Sequence, residues 1–193
     1  VKEWLHIFTQ RMITVFIQSN LYNTLPTVYG DNGLFGTAAM SVVEDSKDLF
    51  RTYGYPIGSF AIGLDERNVV DTFVREYELT VKQIVKRYGV RAGARDIDWT
   101  NISTSVKNQW DRGNYEQSIQ VTWMVKPNDD ADDSRFESRY LPFLSCTWES
   151  SEQGSAGDRK FLSEMGFKRN PIMAPRWDVT GEDSYGTDCP GMT

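Results

Sequence analysis

Residues 35–89 read FGTAAMSVVEDSKDLFRTYGYPIGSFAIGLDERNVVDTFVREYELTVKQIVKRYG, and this stretch decides the fold. Ala39 to Glu44 is a short strand-like run closed by the turn-rich EDSKD, and Leu49 to Tyr53 is a second. Gly58 to Leu64 alternates, with Phe60, Ile62 and Leu64 on one face and Ser59, Ala61 and Gly63 on the other. Four polar residues, Asp65 to Asn68, leave room only for a hairpin into Val69 to Tyr77. Thr80 and Gln83 then have the spacing of a capping box, in which each side chain satisfies the other residue's backbone N–H. Val81, Ile84, Val85 and Tyr88 make one apolar helix stripe, and Gly89 is placed to stop it in the left-handed conformation. The stretch predicts a β-meander sealed by one helix.

Outward from it, Val1 to Ser19 predicts a helix. Trp4, Leu5, Phe8, Met12, Val15 and Phe16 recur at three- and four-residue spacing, and Ile7, Ile13 and Ile17 widen the stripe. So wide a stripe predicts burial on two sides, against the sheet and against another element or subunit, with a core helix of its own domain as the ordinary explanation. Asn20 to Leu34 carries a weaker helical pattern, with Pro26 inside it and Asp31-Asn32-Gly33 as a turn signal before the meander. On the other side, Ile102, Val106 and Trp110 recur every four residues and predict a short helix ended by Gly113.

Tyr115 to Lys126 alternates over its whole length and predicts a strand whose buried face carries Val121, Trp123 and Val125; Pro127 stops it. Phe143 to Glu149 predicts another strand, with Cys146 as a buried thiol. Ser150 to Gly157 reads as loop. Lys160 to Glu164 and Ile172 to Val179 predict a final strand pair around a Gly166 turn, Pro175 bending the second. The fold class these elements define is α+β: mainly antiparallel sheet from consecutive hairpins, with an N-terminal helix and short flanking helices. The expected organisation is a single region, with 1–35 a helical entry, 36–89 the meander and its helix, and 90–193 a helix with further strands.

A chain of 193 residues with 39% apolar and 25% charged residues can bury a core. Its 27 Asp and Glu outnumber 21 Lys and Arg, for a net charge of −6. That balance argues against a general nucleic-acid clamp, which needs clustered cations on phosphates. Arg87, Arg91 and Arg95 are the nearest candidates for a local basic patch. Cys146 and Cys189 read as two separate thiols, and no segment has the length and apolarity of a membrane span.

Catalytic and metal-binding signals are weak. His6 is the one histidine, so triad and His-based zinc chemistry would rest on it alone. No cysteine pair has zinc spacing. The glycines at 30, 33 and 36 precede no Lys-Ser/Thr and match no phosphate loop. The acidic run NDDADDS, Asn128 to Ser134, lacks the central glycine of a calcium loop and reads as a solvated hairpin connection. No cofactor and no metal are expected. A carboxylate pair of the hydrolase kind stays open, because carboxylates are numerous and nothing singles out two.

Two groups of residues carry a family resemblance. The order Phe35-Gly36-Thr37, an acidic strand, Tyr55-Pro56 at the head of YPIGSFAI, and the VREYELT passage containing Arg75 is the first. Pro171, then Pro175-Arg176-Trp177, then Gly181-Glu182 and Tyr185-Gly186 is the second. Together they resemble the head-to-tail connecting (portal) proteins of short-tailed bacteriophages, over nearly the whole chain and part of the family's length. The resemblance implies a structural, non-catalytic part of a ring at one capsid vertex of the virion, through which double-stranded DNA is packaged and ejected. It implies other portal subunits, capsid, terminase and tail adaptor proteins as partners, no membrane, and synthesis in the host cytoplasm.

This piece looks like the outer wing lobe of such a protein, and weak or no DNA binding is expected of it. Arg75 reads either as a packed stem reaching Asp71 or Glu44, or as an intersubunit salt bridge. Arg176 beside Trp177 invites a cation–π stack at the junction towards the stem helices. The alternatives are a non-catalytic binding module unrelated to portals and, behind it, the carboxylate-dependent hydrolase.

Overall fold

The computed structural model describes residues 2–90, 96–132, 134, 135, 137–150, 160–179, 181, 183–187 and 189–192. Helices α1 (Lys2–Gln18) and α2 (Leu21–Phe35) lead into strands β1 (Ala39–Asp45), β2 (Leu49–Tyr55), β3 (Phe60–Leu64) and β4 (Val70–Thr80). Next come α3 (Val81–Ile84), α4 (Thr104–Asp111), β5 (Ser118–Pro127), β6 (Phe143–Glu149), β7 (Phe161–Phe167) and β8 (Ile172–Met173). The strands form two antiparallel sheets, ordered β2-β1-β8 and β3-β4-β5-β6-β7, so the fold is α+β as the sequence predicts. The chain divides into two compact units, one of Val1–Val70 with Asn170–Thr193 and one of Asp71–Arg169.

The second unit is built around a conventional apolar core. Thr80 caps α3 as expected: its Oγ1 accepts from the Gln83 N–H at 3.3 Å, and the Thr80 N–H donates to Gln83 Oε1 at 2.9 Å. Val81 and Ile84, with Val85 in the π-helical turn Val85–Gly89 that continues α3, meet Ile102, Val106 of α4, Val121 of β5 and Leu162 of β7. All are buried, and each such side chain contributes about 1.5–3 kcal/mol relative to exposure. Ser103 caps α4 and also donates its N–H and hydroxyl to the two carboxylate oxygens of Glu149, at 3.1 and 2.6 Å. That carboxylate is buried and fully engaged. Burial, and then the charge of Glu164, pushes the Cys146 thiol up to about 11.

The first unit has a smaller core: Val28 of α2 with Ala38 and Met40, against which Leu25 and Val42 pack. Polar ties do much of the remaining work. Asn20, between the two helices, spends its side chain on β2: its amide donates to the Thr52 carbonyl at 2.7 Å, and its oxygen accepts the Thr52 N–H at 2.8 Å. It mimics one residue of an added strand. Ser41 and Tyr55 share a buried hydroxyl–hydroxyl bond of 2.5 Å.

Several expectations are overturned. The meander does not stay in one sheet. β1 pairs with β2 on one side and with β8 on the other, where the Val42 N–H donates to the Pro171 carbonyl. The Pro56–Ser59 turn, with Gly58 at φ 86°, then carries the chain into the other sheet. The Asp65–Val69 hairpin does form, with Asn68 left-handed at φ 58°. Gly89 is not a left-handed stop; a Cβ there would stand 2.9 Å from the Ile97 side chain, so the glycine serves close packing.

Asp31-Asn32-Gly33 is not a turn, because α2 runs through it to a left-handed stop at Gly36, φ 73°. Tyr115 lies outside β5 and stacks edge-on against Trp110 at 4.7 Å. Trp123 is half-buried, its indole N–H donating to Ser145 Oγ at 2.9 Å; Val121 and Val125 are the buried members of that face. Gly166 makes no turn between paired strands. β7 pairs with β6 and β8 with β1, and Gly166 sits inside β7 where any Cβ would strike the Ser138 carbonyl.

The largest correction concerns α1. No residue of this helix is buried, so it is not a core helix. Only Val15 and Phe16 are half-buried, Phe16 edge-on to Phe50 at 6.0 Å between centroids. Two of its polar side chains bond back to the helix itself: Thr9 and Thr14 donate to the carbonyls four residues back. His6 is exposed. Among the described residues no helix is long and apolar enough to cross a membrane.

Candidate functional site

The residues singled out by resemblance gather largely at one place in the first unit, where the end of α2 meets residues 175–191. Gly36 ends α2 in a conformation open chiefly to glycine, its N–H donating to the Asn32 carbonyl at 3.0 Å. The next three backbone groups are committed to the distant segment. The Gly36 carbonyl accepts from the Trp177 N–H at 2.7 Å, Thr37 bridges Arg176, and the Ala38 N–H donates to the Pro175 carbonyl at 3.1 Å. Buried Thr37 then accepts the Gly186 N–H on its Oγ1 at 2.7 Å.

Gly36 and Gly186 lie backbone against backbone. A Cβ on Gly36 would stand 2.5 Å from the Gly186 carbonyl oxygen, and one on Gly186 would run into the Gly36 carbonyl. Neither position has room for a side chain. With the Asn32 amide nitrogen turned inward, it lies 3.2 Å from both the Gly36 and Pro175 carbonyls and closes the remaining acceptors.

Arg176 locks the outside of this clasp. Its guanidinium does not stack on Trp177, which is exposed. It donates to the backbone carbonyls of Asp183 (3.2 Å) and Ser184 (3.5 Å) and to that of Asn68 in the β3–β4 hairpin turn. A charged fork spent on three neutral carbonyls is a structural cross-brace. The loop it spans is closed at its base by the Asp178–Thr187 bridge, and the Tyr185 hydroxyl accepts the Ile62 N–H at 3.4 Å. Phe35, Tyr55 and Pro56 stand beside the clasp and line an open groove of about 510 Å³.

Arg75 belongs to the other unit. Its guanidinium carbon lies 4.9 Å from the centre of the Tyr77 ring, opposite Trp123 in the strand register. Burial and the neighbouring Tyr88 raise the Tyr77 hydroxyl above its ordinary range. Arg91, Arg95 and Glu182 lie outside the described residues.

Asn32, Asn68 and Gly191 join the clasp without having been singled out from sequence. Gly191 leaves no space for a Cβ against the Leu34 backbone, and Cys189 beside it is fully buried as a free thiol. Their signal is a partner more than a hundred residues away, which no local pattern carries. The described residues of the acidic run are exposed or half-buried between β5 and β6, and the Ser134 hydroxyl and N–H hold the Asp132 carboxyl below the usual carboxylate range. Among the described residues no group of His, Cys, Asp or Glu has the geometry to hold a metal.

Backbone ladders, two facing glycines and a half-buried arginine brace define a fastening. The chain belongs to the family of bacteriophage head to tail connecting proteins, whose sequence model matches residues 1–193. Two relatives make the class concrete. The "Portal protein" of Salmonella phage epsilon15 is 43% identical over 192 residues, covering 100% of this chain and 32% of the relative. The "Probable portal protein" of Bordetella phage BPP-1 is 32% identical over 186 residues, covering 96% of this chain and 31% of the relative. The chain thus spans about a third of the length of these curated relatives, and the family resemblance read from its residues is borne out.

Proposed function

We propose that this chain is a wing-like lobe of a phage portal protein: a structural, non-catalytic part of a ring at the capsid vertex through which DNA is packaged and ejected. The observation that carries the reading is the family match along the whole chain, and the geometry supports it. Gly36, Thr37, Arg176, Trp177 and Gly186 of the resemblance hold the end of α2 against the distant segment, an arrangement suited to a load-transmitting shell. In this reading the copies contact one another, the capsid, the terminase and the tail adaptor through the whole protein, made in the host cytoplasm. Electron microscopy of the full-length protein tests it: closed rings with a central channel are expected, and particles that never close would overturn it.

The DNA passes through the ring without being gripped by this lobe. Tight phosphate contacts would have to be broken at every step of translocation, and the net charge of −6 disfavours them. Non-specific binders reach dissociation constants of ~10⁻⁴–10⁻⁶ M through counterion release. This chain should fall at or beyond the weak end of that range in fluorescence anisotropy with a labelled duplex. Binding near ~1 µM with a steep salt dependence would contradict the assignment.

A further inference from the structure

Asn20 holds the N-cap position of α2, yet its side chain caps nothing in that helix. An asparagine there ordinarily accepts a backbone N–H of the first helical turn on its side-chain oxygen. Here the backbone alone starts the helix, the Asn20 carbonyl accepting the Asn23 and Thr24 N–H groups at 3.1 and 3.2 Å. The side-chain amide is spent on β2. It donates to the Thr52 carbonyl at 2.7 Å, and accepts the Thr52 N–H at 2.8 Å and the Thr52 hydroxyl at 3.0 Å. A helix contact is given up for a sheet contact.

That contact falls on the edge of a sheet, because β2 ends the order β2-β1-β8. The Val42 N–H donates to Pro171 on the β8 side, so its register partner Thr52 turns its own N–H and carbonyl away from β1. By the two-residue period of a strand, Phe50 and Gly54 do the same. Along these three residues lie Phe16, Asn20 and Thr24, spaced four apart. Phe16 is edge-on to the Phe50 ring at 6.0 Å, and a Cβ on Gly54 would stand 3.2 Å from Thr24 Cγ2. The spacings agree, since four residues of helix and two of strand each advance about 6–7 Å. The elbow between α1 and α2 thus runs along the edge, with Asn20 at its centre.

We infer that Asn20 is a latch that keeps the β2 edge from pairing with the β2 edge of another copy of this chain. β2 reads LFRTYGY: one charge, no proline and three aromatic rings, a composition that favours strand addition. It is also self-complementary. Antiparallel pairing about Thr52 sets Arg51 against Tyr53 and Phe50 against Gly54, so no like charges meet. In that pairing the two copies exchange the outward backbone groups of Thr52, which are the groups that Asn20 holds. An open edge is a template for association, and folded proteins cover such edges. Here one amide side chain covers the middle of the edge without adding a strand. The latch belongs to the fold of the first unit and does not depend on whether the protein forms a ring.

The test co-expresses two forms of the full-length protein, one with Arg51→Cys and one with Tyr53→Cys, each with and without Asn20→Ala. Both positions are exposed, whereas Cys146 and Cys189 are buried. After mild oxidation, mass spectrometry reads the disulfide that joins position 51 of one copy to position 53 of the other. Loss of the Asn20 bonds should raise its yield about tenfold or more. An unchanged yield, or one already as high with Asn20 in place, would overturn the latch. Adding Thr52→Pro removes the outward N–H that edge pairing needs, at a position that gives β1 no hydrogen bond. The yield should then fall back; its persistence would mean that Asn20→Ala acts by loosening the unit, and would also overturn the latch. Asn20→Asp keeps the acceptor for Thr52 and loses the donor, so it decides the matter where Asn20→Ala does not fold. An intermediate yield is expected there, and a yield equal to that with asparagine would overturn the latch.

Discussion

The two units solve the same problem by different means. The unit of residues 71–169 gathers Val81, Ile84, Val85, Ile102, Val106, Val121 and Leu162 into one dry cluster, and its eight-residue helix α4 buries Val106 completely. The unit of residues 1–70 and 170–193 contains the longest helix among the described residues, yet α1 buries nothing. Its coherence comes from backbone ladders, the Gly36–Gly186 approach and the Arg176 brace. An amphipathic pattern therefore does not by itself place a helix in the core of its own unit. A core is visible as burial, whereas a clasp is visible only as the absence of space for a side chain.

Mutations should separate the two modes. Phe73, fully buried in the sheet of the second unit, is expected to cost about 3–5 kcal/mol when replaced by Ala, the range for an aromatic in a core. Denaturant melts showing a loss below ~1 kcal/mol would mean that this unit does not rest on its core. Gly186→Ala adds one methyl group and should still cost about 2–3 kcal/mol, because the Gly36 carbonyl has nowhere to move. A neutral result would dissolve the clasp. Phe8→Ser is expected to stay within about 0.5 kcal/mol in the unassembled chain, as at other exposed positions.

A pH-dependent effect concerns Cys146. Its thiol is raised in the folded state from an ordinary 9.0 to about 11, so the stabilisation from the neutral buried thiol is fully present below pH 9 and is lost as pH rises towards 11. Thiol reagents at pH 8 should label it only after denaturation. Rapid labelling of the native chain would show that this part of the sheet opens.

Much of the second unit was legible from local pattern, because its determinants are local. Thr80 and Gln83 lie three residues apart and cap each other; Phe143 to Glu149 alternates and forms β6 with those bounds. The α+β class followed from such segments. What local reading mistook was set by distant partners. Gly166 looked like a turn because its reason, the Ser138 carbonyl, lies 28 residues earlier in sequence. Asp31-Asn32-Gly33 looked like a turn because the true stop, Gly36, is selected by Gly186. Arg176 was noticed through its neighbour Trp177, while its partners are carbonyls of Asn68, Asp183 and Ser184. The resemblance picked out most residues of the clasp, though not how they fasten.

The contrast between a unit built on a dry core and one whose first helix buries nothing can be measured directly by hydrogen exchange in the full-length protein, before and after it assembles. Amides of the Val81–Gly89 segment and of Val121 to Val125 should exchange slowly in both states. Those of Trp4 to Met12 should exchange fast in the unassembled chain. Protection of α1 before assembly would contradict the account.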